Sequence, residues 1–257
     1  MRKLLLLIVV AFSFFLLPVP ASANHSWGGY HWARTANPFT LKLGNNTSGL
    51  WANMLATASS DWSQSTVLDT AIVPGGTKAR NCRPTSGQDE ICNANYGNTG
   101  WLGVAQIWIT GGTHIYQGSV KNNDYYFGSS SYAYNNTAEM QHVICQEIGH
   151  TLGLDHQSTD GSSLNTCMDY YHNTSASDTK STHPNQHDYD ELAIIYAHLD
   201  SFTTLVKTTK NLPAAATGDL SNPSEWGMMV RNDAHESVFE RELGGGNKLL
   251  TFVTWAR

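Results

Sequence analysis

Between residues 146 and 156 the chain sets Gln146, Glu147, His150, Gly153 and His156 at spacings that could hold a metal ion and activate a water. Residues four apart on an α-helix share a face and lie about 6 Å apart along the axis, so Gln146 and His150 can aim at one ion. Glu147, one residue round from Gln146, can hold a water at that ion and take its proton. Gly153 permits the left-handed turn that ends a helix, which lets the chain double back and present His156 as a third ligand. Three side-chain ligands with a fourth position left to water are the arrangement of a catalytic zinc. Gln146 would bind through its amide oxygen, a harder and weaker donor for zinc than imidazole, which predicts lower affinity than three histidines give or tolerance of another divalent ion. His142 precedes His150 by eight residues, about 12 Å along a straight helix, too far to share that ion, and is read as a surface or packing residue.

The same eleven residues match the pattern H-E-x-x-H-x-x-G-x-x-H at Glu147, His150, Gly153 and His156 and depart from it at Gln146. With Cys167-Met168-Asp169-Tyr170 they resemble the metzincin clan of zinc endopeptidases, most of all its matrixin-type members, over roughly residues 30–200. The resemblance implies an α+β fold with a twisted five-stranded sheet, an active-site helix, and a methionine-containing turn beneath the metal at Met168. It also implies one catalytic Zn²⁺ on His150 and His156, with Gln146 standing in for the remaining ligand and Glu147 as general base. Tyr170 becomes a candidate for stabilising the oxyanion of the tetrahedral intermediate, or simply a packed turn residue. The partner is a protein or peptide substrate, laid along the edge strand ahead of the helix. That strand reads as residues 114–120, which could equally be an ordinary member of the sheet.

The surrounding chain fits a secreted protein. Arg2 and Lys3, an apolar run from Leu4 to Leu17 and the small residues Ala21-Ser22-Ala23 read as a signal peptide over residues 1–23, too short for a comfortable membrane span. Its removal takes two of 15 basic residues and none of 21 acidic ones, moving the formal charge from −6 to −8 and arguing against nucleic acid as partner. After signal cleavage no membrane attachment is expected. Few residues separate Asn24 from the first strand, so no propeptide is expected there. Four cysteines in an oxidising compartment suggest two disulfides with three possible pairings. Cys82 and Cys92 flank a polar loop and would close it locally, leaving Cys145, ahead of the ligand helix, to meet Cys167 beside Met168.

The elements that must position the motif follow from hydrophobic period and turn signals. Phe39 to Leu43 alternates as a strand and Gly44-Asn45-Asn46 turns it, Leu50 to Trp62 is a helix, and residues 67–73 form a strand ending at Pro74-Gly75-Gly76. Val104 to Ile109 reads as a buried central strand. Thr137 or a neighbour caps the ligand helix, whose Met140, Ile144, Ile148 and Leu152 face the core. Asp188 is expected to cap a last helix over 189–199. His172, His183 and His187 read as surface histidines. These elements make up a catalytic domain over 24–200, followed by an extension over 201–257. In the extension, residues 237–243 and 249–255 bracket Gly244-Gly245-Gly246-Asn247 as a β-hairpin after a linker.

Two functions remain open on this reading. One is a secreted zinc endopeptidase; the other is a secreted, catalytically inactive peptide-binding protein on the same fold, with Gln146 recording the loss of the metal. A glycan-binding module has only the aromatic composition behind it.

Overall fold

The computed structural model describes residues 25–206, 220–233 and 235–256, so residues 1–23, read as a signal peptide, and most of the stretch read as a linker lie outside the described residues. The elements in chain order are β1 (His31–Trp32), β2 (Phe39–Asn46), α1 (Trp51–Trp62), β3 (Leu68–Pro74), β4 (Asp89–Ala94), β5 (Trp101–Thr110), β6 (His114–Asn123), α2 (Asp124–Phe127), α3 (Thr137–Thr151), α4 (Gln186–Ile195), β7 (Met228–Asn232), β8 (Glu236–Gly244) and β9 (Asn247–Trp255). The fold is mixed α+β around one nine-stranded sheet ordered β3-β2-β4-β6-β5-β9-β8-β7, with β1 beside the start of β6. Strands β2, β3, β4 and β6 are parallel, and β5 turns antiparallel to β6. The expected hairpin forms, and its second strand β9 pairs with β5 along nearly the whole of that strand.

The sheet order decides between the two readings of residues 114–120 in favour of an ordinary member of the sheet. Residues 114–120 belong to β6, which is flanked by β4 and β5 and therefore is not an edge. The outer side of β5 is instead occupied by β9.

The apolar run of β5 has a simple cause: both its faces are covered. Ala105 and Ile107 join the main core with Trp62, Val143, Ile144, Ile148, Leu152 and Phe252. Val104 packs on Trp226, Phe239 and Val253, and Trp108 packs on Leu220 and Leu249. The extension thus supplies the second layer over this part of the sheet. Residues 44–46 continue β2 rather than turning it, because their backbone pairs with β3 and β4. Strand β4 lies in the stretch read as the end of a polar loop, an assignment made by pairing to β2 and β6 rather than by hydrophobic period.

Helix α3 starts at Asn136, whose side chain accepts from the Glu139 N–H at 2.9 Å, in the place expected of Thr137 or a neighbour. Helix α4 starts at Asn185, with Asp188 as the third residue of a capping box rather than as the cap itself. Cys82 pairs with Cys92 and Cys145 with Cys167, and no cysteine is free. The second bridge ties α3 to the turn that carries Met168. Two disulfides suit an extracellular protein, and among the described residues no helix is long and apolar enough to cross a membrane.

The last turn of α3 is anchored to the sheet where the Thr151 hydroxyl donates to Asp89 Oδ2 at 2.6 Å. Burial pushes the Asp89 carboxyl up to about 7, against that hydrogen bond and with help from the neighbouring charge of Glu90. A carboxyl raised in the folded state binds more protons folded than unfolded, so its contribution falls as pH rises from about 4 to 7. Asp89→Asn should therefore raise stability at pH 8 by roughly 1–3 kcal/mol and change it little at pH 4, measured by urea unfolding. Replacing Cys145 and Cys167 together by serine, which opens a loop of sequence separation 22, should lower stability by about 3 kcal/mol in the same assay.

Candidate metal centre

The ligand face of α3 ends in a turn that only glycine can make. Gly153 has φ +97°, and a Cβ there would stand 2.1 Å from the Tyr30 carbonyl oxygen. The Gly153 N–H donates to His150 O and the Leu154 N–H to Gly149 O, the paired bonds of a Schellman cap. The N-terminal segment packs into the turn, with the Trp27 N–H donating to Gly153 O at 3.1 Å. The turn sends the chain back so that the rings of His150 and His156 lie 4.6 Å apart. Beneath them Met168 is fully buried against Gly149, where a Cβ would meet its sulfur at 2.4 Å.

The His150 tautomer is set by position. Nδ1 lies 2.9 Å from Leu154 O, which can only accept, so Nδ1 carries the hydrogen and Nε2 presents a lone pair. That lone pair faces Glu236 Oε1 at 3.2 Å, and the other carboxylate oxygen lies 2.6 Å from His156 Nδ1. Glu236 is 1% exposed and comes from the first residue of β8. Phe252 of β9 stacks on His150 at 4.6 Å.

Gln146 does not complete this triangle. Its Nε2 donates to Asp169 O at 2.8 Å and its Oε1 accepts from the Thr254 hydroxyl at 2.8 Å. The acidic group that stands with His150 and His156 is Glu236, whose ligand atom lies within 4.8 Å of theirs. Glu147 also meets Thr254, whose hydroxyl lies 2.7 Å from Glu147 Oε1. Glycine at 103 in β5 leaves the space for Glu147, since a Cβ there would stand 2.5 Å from Oε1. Tyr170 lies edge-on to His156 with ring centroids 4.3 Å apart, and its hydroxyl donates to Asp233 Oδ2 at 3.0 Å. Asp155, between the turn and His156, receives two Arg231 N–H groups at 2.6 Å each. Gln146, Tyr170, His235 and Glu236 line a narrow recess beside the pair of histidines.

Burial acts on every charge here. It pushes the Glu147 carboxyl up to about 8, against the lowering by His150 and the Thr254 hydrogen bond. It also pushes Glu236 up, but His156, His150 and Arg231 reverse this and hold it below the usual carboxylate range. The two imidazoles diverge. Burial lowers both, yet Glu236 brings His150 to a net rise, while His156 stays low with His150 as a like-charged neighbour. Glu236 thus favours charge on His150 over His156. A divalent cation would satisfy the same geometry, because the His150 Nε2 lone pair, the unpartnered His156 Nε2 and both Glu236 oxygens are buried without hydrogen bonds. Two histidines and a carboxylate form a known ligand set for catalytic zinc.

Two more groups among the described residues have donor atoms close enough to share a cation: Glu139 with His142 and His172, and His31 with His198 and Asp200. The first is already a closed network. Glu139 Oε1 accepts from His172 Nδ1 at 2.5 Å, and Oε2 accepts from the Asn173 N–H at 2.6 Å and faces His142 Nδ1 at 3.4 Å. Burial pushes the Glu139 carboxyl up, and the charges and hydrogen bonds of His172 and His142 bring it down to about 2. His142 is thus a packing residue, one of the two roles expected. His172 is not a surface histidine, because Glu139 draws it against α3. His183 is exposed beside Asp61, and His187 stacks on His25 at 4.6 Å.

Glu236, Thr254, Asp233 and Arg231 carry no motif, and only strand register brings them to the site. The two histidines lacking a third partner were the one signal that another ligand should be sought. No protein-family model matches this chain, and no curated protein matches it.

Gly153→Ala should cost about 1–3 kcal/mol in urea unfolding, from left-handed strain and the clash with Tyr30, and should lower zinc retention with it.

Proposed function

We propose that this chain is a secreted zinc-dependent endopeptidase whose centre is held closed by its own C-terminal strands. The observation that carries this reading is a cross-strand pair. Glu236 and Thr254 lie opposite one another in β8 and β9. Between them they engage Gln146, Glu147, His150 and His156, the four side chains on which the chemistry rests.

His150 and His156 would hold the ion, with Glu236 as third ligand in the closed form. Bound zinc would supply Lewis acidity, polarising a scissile carbonyl and making water easier to deprotonate. Glu147 lies one residue from the ligand face and would take the proton of the attacking water and pass it to the leaving amine. Tyr170 lies beside His156 and could donate its hydroxyl hydrogen to the developing oxyanion once parted from Asp233. In the closed form each of these groups is committed elsewhere: Glu147 to Thr254, Tyr170 to Asp233, and both imidazoles to Glu236. The outer side of β5, where an extended peptide would add as a strand, is filled by β9. Opening requires β8 and β9 to withdraw from the site. The inactive peptide-binding reading is favoured by Gln146, whose amide is bonded at both ends, but it needs the same strand edge that β9 holds.

The test is cleavage of an unfolded protein by zinc-supplied chains. Wild type should cleave slowly, Glu236→Ala at least about tenfold faster, and Glu236→Ala with Glu147→Ala about 10²-fold or more below Glu236→Ala at unchanged zinc content. Loss of zinc from Glu236→Ala together with loss of cleavage would make the carboxylate an obligatory ligand rather than a lock. Silence of all three chains with zinc bound would leave the binding protein as the better reading.

A further inference from the structure

A second cluster lies apart from the buried centre, where the N-terminal strand meets the end of the last helix. His31 opens β1, beside His114 at the start of β6, and the chain leaving α4 brings His198 and Asp200 against both. His31 Nε2 is 3.1 Å from His198 Nε2 and 3.5 Å from Asp200 Oδ1, and His198 Nε2 is 3.7 Å from the same oxygen. Donor atoms at about 2.0–2.1 Å from a tetrahedral zinc are separated by about 3.3–3.4 Å. All three edges fall around that value.

The ring orientations turn the same donor atoms towards one point. His31 Nδ1 lies 2.8 Å from Gly29 O, a carbonyl that can only accept, so Nδ1 carries the hydrogen and the neutral ring turns the Nε2 lone pair inward. That lone pair faces Asp200 Oδ1, another electron-pair donor, across 3.5 Å. Without an ion, the His198 Nε2–H can serve the His31 lone pair and the His114 Nε2–H the Asp200 oxygen; a cation among the three donor atoms would engage both lone pairs at once. The carboxylate is already oriented from behind: Oδ2 accepts from the Arg34 guanidinium at 3.0 Å and from the Arg34 main-chain N–H at 3.1 Å, and His114 Nε2 lies 3.2 Å from Oδ1. Outer partners of this kind fix ligands in metal sites. The His31 and Asp200 side chains are 6% and 8% exposed, while that of His198 is 53% exposed, so the triangle is rigid on two corners and reachable from solvent at the third.

We propose that His31, His198 and Asp200 bind a borderline divalent transition ion, zinc by donor type, with its fourth position open to solvent. Two imidazoles and one carboxylate favour zinc, nickel or copper over the oxygen-seeking calcium and magnesium. The ion fastens the N-terminal strand to the chain leaving α4, so its role is to clamp those two segments. The site is independent of the peptidase reading.

The test uses the whole secreted chain, stripped with a chelator and titrated with zinc alone, beside His198→Ala. The His198 ring is half exposed, so the core does not depend on it. Wild type should retain one more zinc per chain than the variant after gel filtration, and zinc in hundredfold excess over its dissociation constant should raise its Tm by about 5 °C more. Asp200→Asn, which can still accept from Arg34, should lose the same equivalent. Taking differences between chains cancels whatever His150 and His156 hold. Equal zinc content and an equal Tm response in wild type and His198→Ala would overturn the site and leave the three groups as a hydrogen-bonded network.

Discussion

The packing of the C-terminal strands on the ligand helix depends on one buried carboxylate. Glu236 is 1% exposed, and taking such a charge out of water costs several kcal/mol unless it is compensated. The compensation comes from His150 and His156, with Arg231 at 3.5 Å from Oε2. The three strands of the extension cannot take their register on β5 without bringing that carboxylate to the histidines. The carboxylate in turn offsets the burial that lowers both imidazoles, enough to give His150 a net rise. Sheet pairing and site electrostatics therefore hold each other in place.

The extension is bound to the rest of the fold at three levels. Main-chain pairing of β9 with β5 continues the sheet, Phe252 enters the main core and lies flat on His150, and Arg231 forks onto Asp155 in the turn between the two histidines. The energy of the first two comes from burial and backbone pairing, which any well-matched strand could supply. The third is specific: a bidentate guanidinium on a carboxylate fixes angle as well as distance. The same arginine also lies over the Trp27 ring at 4.5 Å, so the N-terminal segment and the C-terminal extension meet over the turn at Gly153.

Histidines do three different jobs in this fold, and their neighbours decide which. His142 and His172 are bound to Glu139 in a network whose acceptors are filled. His150 and His31 each give Nδ1–H to a carbonyl, which turns Nε2 of His150 towards Glu236 and Nε2 of His31 towards His198 and Asp200. His183 sits in solvent beside Asp61. Burial alone does not separate these cases, since His142 and His150 are both buried within one helix.

Local sequence determined what depends on local physics. The ligand helix with its buried face at Met140, Ile144, Ile148 and Leu152, the left-handed turn at Gly153 and the hairpin around Gly244 to Asn247 follow from period and glycine placement. The grouping of His150 with His156 and both disulfide pairings were legible too, because His150 and His156 flank one turn, Cys82 and Cys92 are only ten residues apart, and the other two cysteines are then left to each other. Tertiary structure alone decided that β9 takes the outer side of β5, that 114–120 lies inside the sheet, and that Glu236 rather than Gln146 stands with the histidines. Strand order and register are set by which long-range pairings bury the most apolar surface, and no residue spacing records that. Glu236 lies 90 residues from Gln146 in the chain, and only the register of β8 on β9 carries it to His150.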